Sequence, residues 1–290
     1  MAAIRSRVCG ELSVMRLEGA HCALEVAPQG AHLIDWTLPD TPPVLFTSPD
    51  SAFLPGKAIR GGVPLAFPWF GPNRGDARAP QHGFARVRDW SVRTMLIGPD
   101  GNCVVAMVLA DDERTRAAWP HAFAARFTAS AGRSLRMALE IRNSGDTPFT
   151  FEAALHSYFA VSDVREVRLH GLQGIEYVDK AGGGSARRRE GAAPLRLVGE
   201  TDRVYLDTEA TCIIDDPGWR RRIAIAKSGS RTTVVWNPWA EKARAMADLG
   251  GRAWTGMVCV ETVVAGDDAR TLDPGEAHSL AATITVEQAM

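Results

Sequence analysis

The sequence lacks the marks of several functional classes. Its five cysteines, Cys9, Cys22, Cys103, Cys212 and Cys259, are odd in number, widely spaced and without a CxxC element. That excludes a disulfide framework and a zinc ribbon and points to a reducing compartment. No run approaches the roughly 18 apolar residues of a membrane span, and the opening MAAIRSRVCGELSV carries Arg5 and Arg7 without the apolar segment of a secretory signal. A soluble cytoplasmic chain is therefore expected, with no membrane partner. Neither sign of charge is in excess, since 33 Lys and Arg stand against 34 Asp and Glu. This argues against a polybasic nucleic-acid binder and leaves room for a local anion site. There is no G-x-G-x-x-G or G-x-x-x-x-G-K-[ST] loop, no HExxH among the seven histidines and no repeat of fixed period. Arg74-Gly75-Asp76 is too short to indicate adhesion. No metal site and no cofactor is expected, and the predicted partners are small molecules.

What is present is a core and many turns. Of 290 residues, 46% are hydrophobic, and 27 glycines and 17 prolines punctuate short apolar runs. Eight Trp and ten Phe against three Tyr supply core volume and apolar surfaces for ring stacking. Alternation of period two runs through 135–142 and, after the polar turn 143–146, resumes with Phe149, Phe151, Ala153 and Leu155 on one phase and Glu152, Ala154, His156 and Tyr158 on the other. Two such strands around a turn predict a hairpin. Further strands are predicted over 103–110, 211–214, 222–227, 232–236, 257–264 and 281–286, and one surface helix over 239–249, stopped by Gly250-Gly251. The reading is all-β, a sandwich or related barrel. Segment 180–191, with its glycines and Arg187-Arg188-Arg189, reads as a mobile surface loop, with phosphate binding as the sharper alternative.

Several segments carry chemistry. Lys57 and Arg60 precede Gly61-Gly62, where guanidinium and bare backbone together suit an anion, although arginines beside turns are common on surfaces. Phe67-Pro68-Trp69-Phe70 is a rigid aromatic wall or a packed loop. Gln81, His82 and Arg86 offer hydrogen bonds to a polyhydroxyl or anionic ligand, or staple a turn. His156 lies among aromatics as either a satisfied core group or a proton donor. Glu261, inside the apolar run 257–264, requires a polar partner or a cavity. The 105 positions separating it from His156 say nothing about their distance in space.

The motifs KAIRGGVPLAFPWFGP (57–72), QHGFAR (81–86), FEAALHSYFAV (151–161), TDRVY (201–205), VVWNPWAEKARAMADLG (234–250) and TGMVCVETVV (255–264), in this order, resemble the aldose 1-epimerase, or galactose mutarotase-like, superfamily. The likeness runs from about Leu24 to Val286 and is nearest to the glucose-6-phosphate 1-epimerase branch. It implies a large antiparallel β-sandwich occupying 1–290 as one domain, with a sugar-sized cleft on one sheet. It also implies a catalytic pair of His156 and Glu261, Arg60 and Arg86 on the sugar phosphate, and His82, Gln81 and Asp202 on the substrate. Asp202 in TDRVY fits the family's pocket aspartate better than Asp207 does. The implied reaction interconverts α and β anomers of an aldohexose 6-phosphate without a cofactor; a monomer is expected. The alternatives are an epimerase of unphosphorylated hexoses and a noncatalytic carbohydrate or sugar-phosphate binding protein.

Overall fold

A computed structural model describes residues 2–73 and 75–288; Arg74 of the RGD triplet lies outside the described residues. Among these, two eight-stranded antiparallel sheets dominate, joined by a four-stranded sheet near the start of the chain and a two-stranded ribbon. The first large sheet, here the outer sheet, runs in the order Arg168–His170, Cys212–Asp216, Arg221–Ser228, Ala277–Gln288, Ser134–Asn143, Phe123–Ala131, Cys103–Ala110, Ser91–Ile97. The second, the site sheet, runs Ala186–Arg189, Glu176–Asp179, Thr201–Tyr205, Thr232–Asn237, Met257–Val264, Ala153–Leu155, Leu65–Ala66, with Tyr158–Ala160 also paired to Met257–Val264. Their facing side chains form one core: Phe127, Met137, Leu139 and Ile284 come from the outer sheet, and Leu155, Phe159, Val235, Val258 and Val260 from the site sheet. The predicted β-sandwich is the observed architecture.

The two sheets differ in how they meet water. Phe123–Ala131 alternates strictly between buried and outward residues, as a half-solvated antiparallel sheet must. Met257–Val264 is buried at all eight positions. Val258, Val260 and Val264 enter the core, whereas Met257, Cys259, Glu261 and Val263 face the opposite side, under loops that cover the sheet. Each core valine contributes roughly 1.5–3 kcal/mol by burial, which offsets the cost of holding a carboxylate at Glu261.

Three local expectations change. Residues 135–142 and 149–155 do not form a hairpin: Ser134–Asn143 pairs with Phe123–Ala131 and Ala277–Gln288, while Phe149–Phe151 pairs with Arg270–Leu272. The Asn143 side chain bonds the carbonyls of Thr147 and Leu272, so the turn carries the chain from one layer to the other. The helix spans only Trp239–Arg244, because three-residue turns at Met246 and Leu249 follow and bury Leu249. Segment 180–191 contains an exposed edge strand, Ala186–Arg189, rather than loop throughout. It pairs with Glu176–Asp179 across a turn with Gly182 and Gly183 in the left-handed region, and Arg187 meets Glu176 and Asp267. None of the described helices is long and apolar enough to cross a membrane.

Candidate active site

Cross-strand register brings the predicted acid and base together. Leu155 pairs with Thr262 and Tyr158 with Cys259, and both pairs belong to one register, so His156 falls directly opposite Glu261. Residues so placed share a face of the sheet with Cβ atoms about 5 Å apart. Nε2 of His156 lies 3.4 Å from Oε1 of Glu261, and both side chains are buried. Burial pushes the Glu261 carboxyl well above the ordinary glutamate range; Asp202 adds to the rise and Lys180 opposes it. Burial, with the charges of Arg86 and Arg60 nearby, holds the His156 imidazole well below its usual value. Both groups are thus biased towards neutrality, with one proton to exchange between them.

A stack of rings leads from this pair to the first arginine. The His156 and Tyr158 rings are parallel, with centroids 4.9 Å apart, and the Tyr158 hydroxyl accepts from Nη1 of Arg60 at 3.0 Å. Asp248 accepts from Nε and Nη2 of the same guanidinium at 3.0 and 2.9 Å. Burial works against the charge on Arg60, but Tyr158 and Asp248 outweigh it and leave the pKa raised. The backbone beside Arg60 turns at Gly61 and Gly62, both at positive φ, where a Cβ at Gly62 would stand 2.3 Å from the Leu33 carbonyl oxygen. His32, buried and held near pKa 3 by desolvation, bonds the Gly61 carbonyl at 2.9 Å and braces that turn.

The second arginine arrives on QHGFAR. Nη2 of Arg86 donates to the Gln81 carbonyl at 2.7 Å, while its buried Nε has no partner among the described residues. Burial and the charge of Arg60 lower its pKa. Gln81 itself is exposed, and its backbone positions Arg86. His82 takes positive φ, and its Nδ1 accepts from the Gly71 N–H at 3.2 Å, so the neutral ring carries its proton on Nε2. Burial, Arg86 and Arg60 keep it neutral, at about 3. Its ring meets Phe70 at 4.8 Å and His156 at 5.4 Å between centroids.

A polar row completes the face. Asp202 pairs with Trp236, which pairs with Cys259, and the Lys180 N–H bonds the Asp202 carbonyl at 2.7 Å. Lys180, Asp202, Trp236, Cys259 and Tyr158 therefore lie across the sheet in one line, beside Glu261 and His156. Burial raises the Asp202 pKa against the pull of Lys180 and Lys242. The partly exposed Trp236 indole stands edge-on to His156 and Tyr158. Asp207, by contrast, forms a surface ion pair with Arg231.

Tyr158, Trp236, Lys180 and Asp248 were not singled out for the site by sequence reasoning. Asp248 lay in a predicted helix, and Lys180 in a predicted loop. A cavity of about 760 Å³ lies elsewhere, over Glu176, Arg187, Arg231 and Asp267, where Arg187, Arg231 and Arg270 already pair with acids. Phe70, Val178, Lys180 and Val204 line a smaller hollow of about 190 Å³ near the polar row. His156, Cys259 and Glu261 each offer a donor atom, all within 4.8 Å of one another.

Residues 13–285 match the family model described as Aldose 1-epimerase. The chain belongs to the aldose 1-epimerase family. A relative from Cenchrus ciliaris, named provisionally as a glucose-6-phosphate 1-epimerase, is 35% identical over 269 residues, 90% of this chain and 80% of its own. One of the same provisional name from Escherichia coli K12 is 32% identical over 281 residues, covering 97% and 92%. The crystal structure of a provisionally named mutarotase from Salmonella typhimurium superposes with a TM-score of 0.91 at 31% identity, over 98% of this chain and 94% of that one. Membership of the aldose 1-epimerase family makes this protein a carbohydrate isomerase built on a mutarotase-type sandwich.

Proposed function

We propose that the protein interconverts the α and β anomers of glucose 6-phosphate. The observation that carries this reading is the buried His156–Glu261 pair at 3.4 Å beside two arginines, one of them with a buried, unpartnered N–H. Glu261 in its ionised form takes the proton from the C1 hydroxyl while protonated His156 delivers one to the ring oxygen. The C1–O5 bond breaks, and the exocyclic C1–O1 bond becomes the carbonyl of the open-chain aldehyde. Rotation about C1–C2 presents the other carbonyl face. Closure reverses both transfers: neutral His156 recovers its proton from O5, and Glu261 returns one to O1. Acid and base each end as they began, and the reaction calls for no redox cofactor. Arg60 and Arg86 hold the phosphate, His82 and Asp202 orient hydroxyls, and Gln81 fixes Arg86 through its carbonyl. The names of the relatives support the same substrate, and five unpaired thiols suit action in the cytoplasm.

The test follows anomer exchange from freshly dissolved α-glucose 6-phosphate by polarimetry or exchange NMR. His156→Ala and Glu261→Ala are each expected to lower kcat by about 100-fold or more. Unchanged rates in both would reject these roles. Arg60→Ala is expected to raise KM for glucose 6-phosphate far more than for glucose, and equal effects would assign the enzyme to unphosphorylated hexoses.

A further inference from the structure

Cys259 has no part in the proton transfers, yet it shares their face of the sheet, one pleat from Glu261 on the same strand and opposite Tyr158. Its thiol is fully buried. The Glu261 carboxylate beside it keeps one oxygen, Oε2, buried without a partner among the described residues. Unsatisfied polar atoms at such depth are costly and mark a place where a further partner belongs. The donor atoms of the three side chains lie within 4.8 Å of one another. Zinc bound tetrahedrally by nitrogen and oxygen at about 2.0–2.2 Å holds those two donors about 3.4 Å apart, and His156 Nε2 and Glu261 Oε1 stand at 3.4 Å. The Cys259 sulfur, within 4.8 Å of both, is the third donor on this face.

We propose that His156, Cys259 and Glu261 form an inhibitory site for a soft divalent cation, with zinc the ion best matched to it. Imidazole, thiolate and carboxylate together suit zinc, whereas the thiolate disfavours magnesium and calcium. Zinc displaces the thiol proton, engages the imidazole nitrogen and neutralises the carboxylate. It therefore removes both the acid and the base. The inhibitory consequence rests on the reading of His156 and Glu261 as the proton-transfer pair, but the binding does not.

Binding and turnover are measured separately on the whole protein, in a Cys9→Ser background that removes the partly exposed thiol. Zinc is titrated against a chromogenic chelator, and cobalt(II) is added to reveal a thiolate-to-metal charge-transfer band. One equivalent of zinc is expected to bind and to abolish anomer exchange, with EDTA restoring it. Cys259→Ser is expected to keep exchange in metal-free buffer, weaken zinc binding by at least about tenfold and lose the cobalt band. Cys259→Ala serves as a second variant should the serine disturb folding. Absence of stoichiometric binding, or zinc affinity unchanged in both variants, overturns the site. Thiolate-dependent binding by a protein that does not isomerise glucose 6-phosphate would uphold the site and reject the proposed substrate.

Discussion

Asp248 holds Arg60 from 188 residues away, with Oδ2 accepting from both Nε and Nη2 of the guanidinium. The contact leaves Nη1 to Tyr158 and fixes the plane of the guanidinium. Its shape matters more than its strength, since the Asp248 side chain is 38% exposed and partly exposed ion pairs contribute little to stability.

Asp248→Ala should consequently act on substrate affinity and leave the fold intact. We expect KM for glucose 6-phosphate to rise roughly 5- to 20-fold, through a loosened charge-assisted contact, while KM for glucose and the melting temperature change little. Steady-state exchange kinetics on both sugars check this. A matching loss on glucose would place Asp248 in the general architecture of the cleft.

The acidity of Glu261 should show in the pH profile. A carboxyl raised by burial loses its charge at a higher pH than an ordinary glutamate, so kcat/KM should fall, as pH decreases, above the usual glutamate range. Lys180 opposes the rise and Asp202 adds to it. Lys180→Met should therefore move the acid limb to higher pH, and Asp202→Asn should move it to lower pH, whatever either does to the plateau. Profiles of kcat/KM for the three proteins measure the limb apart from its height; limbs that coincide would remove Glu261 as the titrating base.

Arg221 makes a prediction about stability. It is fully buried and donates to the carbonyls of Pro42, Pro43 and Ala160. Its guanidinium lies over Trp219 and 3.9 Å from the buried carboxylate of Asp216. Arg221→Met would leave three carbonyls without their donor and take the guanidinium from beside Asp216, which keeps its bonds from Ser162 and Trp219, at a cost of about 3–5 kcal/mol. Denaturant unfolding of the variant measures this, and Asp216→Asn combined with Arg221→Met should recover part of the loss.

The fold was legible wherever one face of a strand meets the core and the other meets water. Residues 103–110 and 257–264 coincide with observed strands to the residue, because alternation or an unbroken apolar run reflects burial directly. Ala3–Cys9 escaped notice for the same reason, since it is largely exposed and presents no apolar face. The hairpin failed because Asn143, whose composition signals a turn, uses its side chain to bond Leu272 and send the chain into another layer. Of the site, the motif-bearing residues His156, Glu261, Arg60 and Arg86 were named from sequence, whereas Asp248, Lys180 and Trp236 gain a place only through partners remote in the chain.

The sequence alone determined an all-β chain rich in turns, because composition and alternation are local properties written residue by residue, and its motifs carried the family resemblance that singles out the candidate side chains. Tertiary structure decided that His156 faces Glu261, that Asp248 orients Arg60, and that Cys259 shares the face of His156 and Glu261. These are facts of register and of layer. They depend on which strands pair, and pairing is settled by the burial of the whole core rather than by the residues that meet.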